Sequence, residues 1–251
     1  MKEIKYYKTY EDDFIETKNQ TYTLKNNYKW INTNIFYKIL SFIIYIPFLI
    51  FSIIYCKLIL HITYKNKKIL KKHKTFFIYA NHTQPVADAF SPSLALFPKK
   101  PYIIVSPSNL GIPIIGKLLP YLGALPIPNN IHQMKKFIES INTHIKNNPI
   151  IIYPEAHVWP YNTFIREFPN TSFEFPIINN VPSFTMTTTY QKIKEGKKPK
   201  ITIYFDGPFY PDNKETKKEK IKNLHDKIYN SMVKNSNYSN YDYIKYEKRN
   251  D

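Results

Sequence analysis

Cysteine, glycine and arginine are scarce in this 251-residue chain, and each scarcity removes a class of function. The single cysteine, Cys56, excludes a disulfide framework and a multi-cysteine metal site, and a reducing compartment is the simplest home for such a chain. The five glycines, Gly111, Gly116, Gly123, Gly196 and Gly207, are not spaced as a G-x-G-x-x-G or Walker A loop, which excludes nucleotide-binding folds of those kinds. Arginine occurs only as Arg166 and Arg249. Proteins that read DNA lean on arginine for bidentate contacts to guanine, so no nucleic-acid partner is expected. Acids are missing from one long stretch: between Thr17 and Ser140 only Asp88 and Glu139 carry carboxylates.

Lysine supplies the remaining positive charge, and the chain has a formal net charge of +17. A lysine-rich surface suits an anionic lipid face, which demands no planar fork geometry. Abundant Lys, Asn, Ile and Tyr also fit the codon usage of an AT-rich bacterial genome, so charge alone does not select the partner. The length suits one α/β domain plus an accessory segment.

Four regions are expected: a polar arm at 1–34, an apolar membrane-associated segment at 35–62, an α/β domain at 63–240 and a polar tail at 241–251. The arm is expected to be irregular or partly extended. From Ile39 to Cys56 no charged residue occurs, which meets the lower limit of about 17–25 residues for a membrane-crossing helix. Pro47 in its middle leaves a kinked span, a re-entrant hairpin or an interfacial helix open, with a buried core helix as the non-membrane alternative. Tyr45, Tyr55, Lys38 and Lys57 are placed as interface anchors, and the lysines that follow put the next domain at the cytoplasmic face of the membrane.

Beyond that segment, strands alternate with helices. Thr75–Ala80, Tyr102–Ser106, Ile150–Tyr153, Phe184–Tyr190 and Ile201–Phe205 read as strands. Helices are expected over Pro85–Phe97, around Ile131–Ile145 and over 215–234, where apolar residues recur at helical spacing. The pattern predicts an α/β fold with a mixed, largely parallel central sheet flanked by helices.

Two stretches carry chemistry. In Asn81-His82-Thr83-Gln84-Pro85-Val86-Ala87-Asp88, a strand delivers His82 to its carboxyl end, where α/β folds place their sites, and a lone carboxylate follows. A carboxylate that accepts from one imidazole nitrogen fixes the tautomer and leaves the other nitrogen as a better base. In Ile150 to Pro160 a strand again ends in a carboxylate, Glu155, followed by His157 and then Arg166. An arginine in a chain that defaults to lysine points to phosphate or carboxylate recognition, or to a plain salt bridge with Glu167 or Glu174.

These blocks resemble the 1-acylglycerol-3-phosphate acyltransferase family, the lysophospholipid acyltransferases, over roughly residues 75–210. The family's first motif is Asn-His, four residues, then Asp; Asn81-His82 matches, with five residues before Asp88. Its Pro-Glu-Gly-Thr-Arg block is matched by Pro154-Glu155, with Ala156-His157-Val158 in place of the rest. Gly116-Lys117 through Gly123 to Pro128 is similar to an intermediate block of glycine, apolar strand and arginine, with Pro128 at the arginine's place. Asn180-Val181-Pro182 resembles the last block.

The resemblance implies transfer of an acyl group from acyl-CoA or acyl-carrier protein to a lysolipid hydroxyl at a membrane surface, without cofactor or metal. It assigns His82 and Asp88 to catalysis, and Asn81, Gly123, Glu155, His157, Arg166 and Lys117 to substrate binding. Backbone N–H groups at the start of the following helix are expected to steady the oxyanion. One extra residue inside a helix would turn Asp88 by about 100°, whereas Thr83 and Gln84 can absorb it in a loop. A hydrolase or metal enzyme using His82, Asp88, Glu155 and His157 is a rival, as is a degenerate, non-catalytic acyltransferase-like module that binds membranes.

Overall fold

The computed structural model describes residues 3–15, 21–212 and 214–249. The remaining positions of the expected arm and tail, with Glu16 among them, lie outside the described residues. Strands β1 (Glu3–Tyr7), β2 (Thr63–Lys65), β3 (Phe77–Ala80), β4 (Tyr102–Val105), β5 (Ala124–Pro126), β6 (Ile150–Ile152), β7 (Ser183–Gln191), β8 (Lys200–Phe209) and β9 (Ile244–Lys248) alternate with six α-helices. These are α1 (Ile35–Ile53), α2 (Ala87–Leu96), α3 (Ile115–Leu122), α4 (Ile131–His144), α5 (Glu174–Asn179) and α6 (Lys217–Ser236).

Seven strands form one sheet in the order β2-β8-β7-β3-β6-β4-β5. All pairings are parallel except β7 with β8. The mixed, largely parallel sheet flanked by helices is thus the expected class. β3 lies between β6 and β7, opposite Ile150 and Ser183 at Phe77. The four side chains of β3 are all buried, as a strand covered on both faces requires. Phe77 and Tyr79 join the core with Phe137, Ile141, Leu224 and Met232 from α4 and α6. Ile78 and Ala80 point to the other core, with Cys56, Ala87 and Leu96.

α1 starts at the Asn34 cap, whose side chain accepts from Phe36 N–H at 2.8 Å. It runs through Pro47 into a π-helical stretch, Ile54–Ile59. The whole helical length, Ile35–Ile59, is long and apolar enough to cross a membrane, and only 22% of its most apolar window is buried. One side rests on the domain: Tyr37 stacks on Tyr121 of α3, and Phe48 and Phe51 meet Phe90 of α2. Phe36, Phe42, Ile43 and Ile50 face outward. A soluble core helix would bury them, so the core-helix alternative does not describe this segment.

Described parts of the polar arm and tail form regular structure. β1 pairs in parallel with β9, Glu3 opposite Ile244. Neither strand shows in local periodicity, because each is defined by a partner at the far end of the chain. The block read as a glycine and apolar strand is instead helix α3 followed by the short β5. Gly116 permits this, since a Cβ there would sit 2.1 Å from the Leu110 carbonyl oxygen.

Candidate active site

β3 ends at Ala80 in the middle of the sheet, so His82 emerges at the carboxyl edge between the ends of β6 and β7. Asn81 fixes this exit. Its amide donates to the Thr188 carbonyl at 3.0 Å and its carbonyl accepts from Thr188 N–H at 2.7 Å. The side chain is buried and bonded both ways to β7, so it anchors the strand end.

α2 begins at Ala87, two residues later than expected, and Asp88 lies in its first turn. Thr83 to Val86 remain outside the helix, and the loop absorbs the extra residue. Asp88 Oδ2 accepts from Thr83 N–H at 3.0 Å and Gln84 N–H at 2.9 Å, and lies 2.8 Å from His82 Nδ1. An oxygen that takes two backbone donors is a carboxylate acceptor, which makes Nδ1 the protonated nitrogen and leaves Nε2 with its lone pair. The His82 side chain is 20% exposed and Asp88 3%, so the imidazole is open to solvent and its partner shielded.

The Thr83 and Gln84 N–H groups of the loop are directed at Asp88, and in the first turn of α2 the Asp88 and Ala89 N–H groups donate to the Gln84 and Val86 carbonyl oxygens at 3.2 Å. Tyr190 holds the loop from beneath, its hydroxyl 2.7 Å from Thr83 Oγ1 and accepting from Gln84 Nε2 at 2.9 Å.

Glu155 reaches the same histidine from the end of β6, at its backbone. Its Oε2 accepts from His82 N–H at 2.9 Å and from Arg166 Nη2 at 3.1 Å, and its Oε1 accepts from Arg166 N–H at 3.0 Å. Arg166 is wholly buried. Nη1 donates to the Tyr10 carbonyl and Nη2 also to that of His157, while the buried Nε has no hydrogen-bond partner among the described residues, and the guanidinium lies 4.6 Å over the Trp159 ring. It therefore pairs with Glu155, not with Glu167 or Glu174 as weighed from sequence, and it has no face turned to an acceptor. Trp159 N–H donates to the His82 carbonyl at 3.0 Å and Tyr161 N–H to that of Thr83 at 2.9 Å, so the two loops run together as one unit.

The arm and tail close over this unit. Trp159 Nε1 donates to the Asp12 carbonyl at 2.8 Å, and Trp159 packs between Tyr7 and Tyr246, with centroids at 4.8 and 4.9 Å. Asp12 caps its own turn, accepting from Lys8 N–H at 2.7 Å and Thr9 Oγ1 at 2.9 Å. The Lys8 N–H holds the Asp12 carboxyl below the usual range, with the Thr9 donors adding to it. His157 sits at the rim, 3.5 Å from Asp13 and partly exposed.

Other expected binding residues are not brought to His82. Gly123 caps α3 with φ of 98° ahead of β5, at the amino edge of the sheet, where a Cβ would meet the Pro101 carbonyl oxygen at 2.7 Å. Its role is conformational. Lys117 is exposed on α3. Among the described residues no group of three or more His, Cys, Asp or Glu side chains is arranged to hold a metal. One residue of consequence escaped the sequence reading: Tyr153, whose ring stacks on the His82 imidazole at 4.4 Å. Its place in the Ile150–Tyr153 strand made it look like core.

His82, just beyond the central strand β3, and Asp88, in the first turn of α2, form a histidine–carboxylate pair at the carboxyl edge of a largely parallel α/β sheet. The chain belongs to the acyltransferase family, whose model matches residues 61–190. No curated protein matches at a significant level. Among solved structures, the chain is similar to the 1-acyl-sn-glycerophosphate (LPA) acyltransferase PlsC from Thermotoga maritima, with 15% identity and a TM-score of 0.49. That match covers 69% of this chain and 71% of the other.

Proposed function

We propose that the chain transfers a fatty acyl group from acyl-CoA or acyl-carrier protein to the hydroxyl of a lysophospholipid, a 1-acylglycerol-3-phosphate-like acceptor, in phospholipid synthesis. The observation that carries the reading is the 2.8 Å contact of His82 Nδ1 with Asp88, which leaves Nε2 as the open base. His82 takes the proton of the acceptor hydroxyl as that oxygen attacks the thioester carbonyl. Collapse of the tetrahedral intermediate expels the thiolate, which takes the proton back from His82. Asp88 stabilises the imidazolium formed between those steps.

Family membership supports the reaction class, and the motif residues Asn81, His82, Asp88, Pro154 and Glu155 support the lysolipid acceptor. With Arg166 enclosed, the acceptor's phosphate falls to other polar side chains, and the partly exposed His157 and the exposed Lys117 are the candidates that the sequence offers. The outward apolar face of α1, followed by Lys65, Lys67, Lys68, Lys71 and Lys72, supports a site held at the cytoplasmic face of the membrane.

The test is acyl transfer by detergent-purified protein, with both donors and a panel of lysolipids, beside His82→Ala. The expected result is transfer by the wild type that falls by about 10²–10⁴-fold in the variant. Equal rates in both proteins would remove His82 as the base.

A further inference from the structure

Helix α2 contains Pro92, four residues after Asp88. A proline has no N–H, so the Asp88 carbonyl lacks the donor that an α-helix would place on it. The Tyr153 hydroxyl takes that place, donating to Asp88 O at 2.7 Å. The same side chain lays its ring on the His82 imidazole, centroids 4.4 Å apart and planes 28° apart. Tyr153 follows Ile152 of β6 directly, so its backbone is tied to the sheet that carries His82. One side chain thus touches both halves of the dyad, and neither contact uses the atoms that face a substrate. Burial pushes the Tyr153 phenol well above its usual range, with Asp88 adding to the effect, so the hydroxyl stays a donor throughout the working pH range.

We propose that Tyr153 is the positioning residue of the dyad: its ring sets the plane of the His82 imidazole, and its hydroxyl fixes Asp88 through the carbonyl that Pro92 leaves without a helical donor. The inference rests on His82 acting as the base. It deepens that reading by assigning the geometry of the base to a residue outside the Asn-His and Asp motif. The ring supplies a π-face on which the imidazolium formed during turnover is stabilised. The hydroxyl matters because Asp88 sits at a helix start, where few intrahelical bonds hold it.

Four variants test this: Tyr153→Phe, Tyr153→Leu, Pro92→Ala and the double variant Pro92→Ala/Tyr153→Phe. Tyr153→Phe should lower kcat about ten-fold with KM unchanged within about two-fold, the loss of one buried hydrogen bond felt at the base. Tyr153→Leu removes the ring as well and should cost about 100-fold in kcat. Pro92→Ala supplies an N–H for Asp88 O, so adding Tyr153→Phe to it should cost no more than about three-fold. A readout independent of turnover is the Nδ1 proton resonance of His82, assigned by its absence in His82→Ala, which should broaden or move in Tyr153→Leu.

Unchanged kcat and an unchanged resonance in the Tyr153 variants would overturn the proposal. So would an equal penalty for Tyr153→Phe with and without Pro92→Ala, or a rise in KM at constant kcat, which would mark a substrate contact. If His82→Ala keeps full activity, the base reading fails. The resonance alone then decides Tyr153: a changed signal supports positioning and an unchanged one overturns it.

Discussion

Asp88 and Glu155 both bond to His82, yet the two carboxylates are held in contrasting ways. Asp88 touches the ring, directs one oxygen at three N–H groups and has its buried Oδ1 without a hydrogen-bond partner among the described residues. Glu155 touches only the backbone N–H, and both its oxygens are taken, with a buried arginine as counter-charge. The difference separates chemistry from scaffold. A carboxylate on the imidazole changes what the ring can do with a proton. One on the main chain decides where the ring stands.

The largest expected effect is therefore on turnover, at Asp88. Asp88→Asn keeps the size of the side chain and an oxygen that can accept from Thr83 and Gln84. That oxygen also keeps the contact with His82 Nδ1, but an amide gives no charge to the imidazolium. The rate should fall by about 10²–10⁴-fold. The circular dichroism spectrum should be that of the wild type. A loss of less than about three-fold would place Asp88 with Glu155 as scaffold and erase the contrast.

The next effect is on stability, at Arg166. Arg166→Met leaves the Glu155 charge buried and unpaired, a change worth about 3–5 kcal/mol. Thermal unfolding in detergent should show a large drop. Glu155→Gln/Arg166→Met should recover part of it, since the charge is gone while the amide oxygen still accepts from His82 N–H. If Arg166→Met unfolds like the wild type but raises KM for the acceptor, the guanidinium serves the substrate as the sequence alone implied.

The same contrast explains which features were legible in the sequence. Asn81, His82 and Asp88 form a local unit. Eight residues with a strand before and a helix after carry the dyad, and a lone acid in an acid-poor stretch marks it. The central strands were legible because a buried parallel strand is a short continuous apolar run. Arg166 was noticed by its rarity and assigned to substrate recognition or a salt bridge with Glu167 or Glu174, because nothing near it in the chain reveals its cover. That cover is the Tyr10 carbonyl, 156 residues away, with Trp159 beneath the guanidinium. β1 and β9 were hidden for the same reason. Tyr153 was hidden because its partner is a carbonyl made needy by Pro92, a relation that no spacing rule connects.

The smallest effect probes the cover itself, through Asp12. Its carboxylate closes the arm's turn, and the next layer inward is Trp159 over Arg166. The native carboxyl is held below its unfolded value, chiefly by the Lys8 N–H. A depressed carboxylate contributes stability that is fully present above the unfolded pKa and lost as pH falls through the lower folded one. The arm should thus stay closed at neutral pH and loosen only in the acid range below about pH 4. Because Asp12 is exposed, the loosening should be local. Fluorescence of Trp159 in a Trp30→Phe background should change at a pH above that of global unfolding, and Asp12→Asn should show the loosened signal at pH 7. A signal that changes only with global unfolding would make the arm part of one cooperative unit with the Glu155 scaffold. The separation of cover from scaffold would then fail, while that of Glu155 from Asp88 would stand.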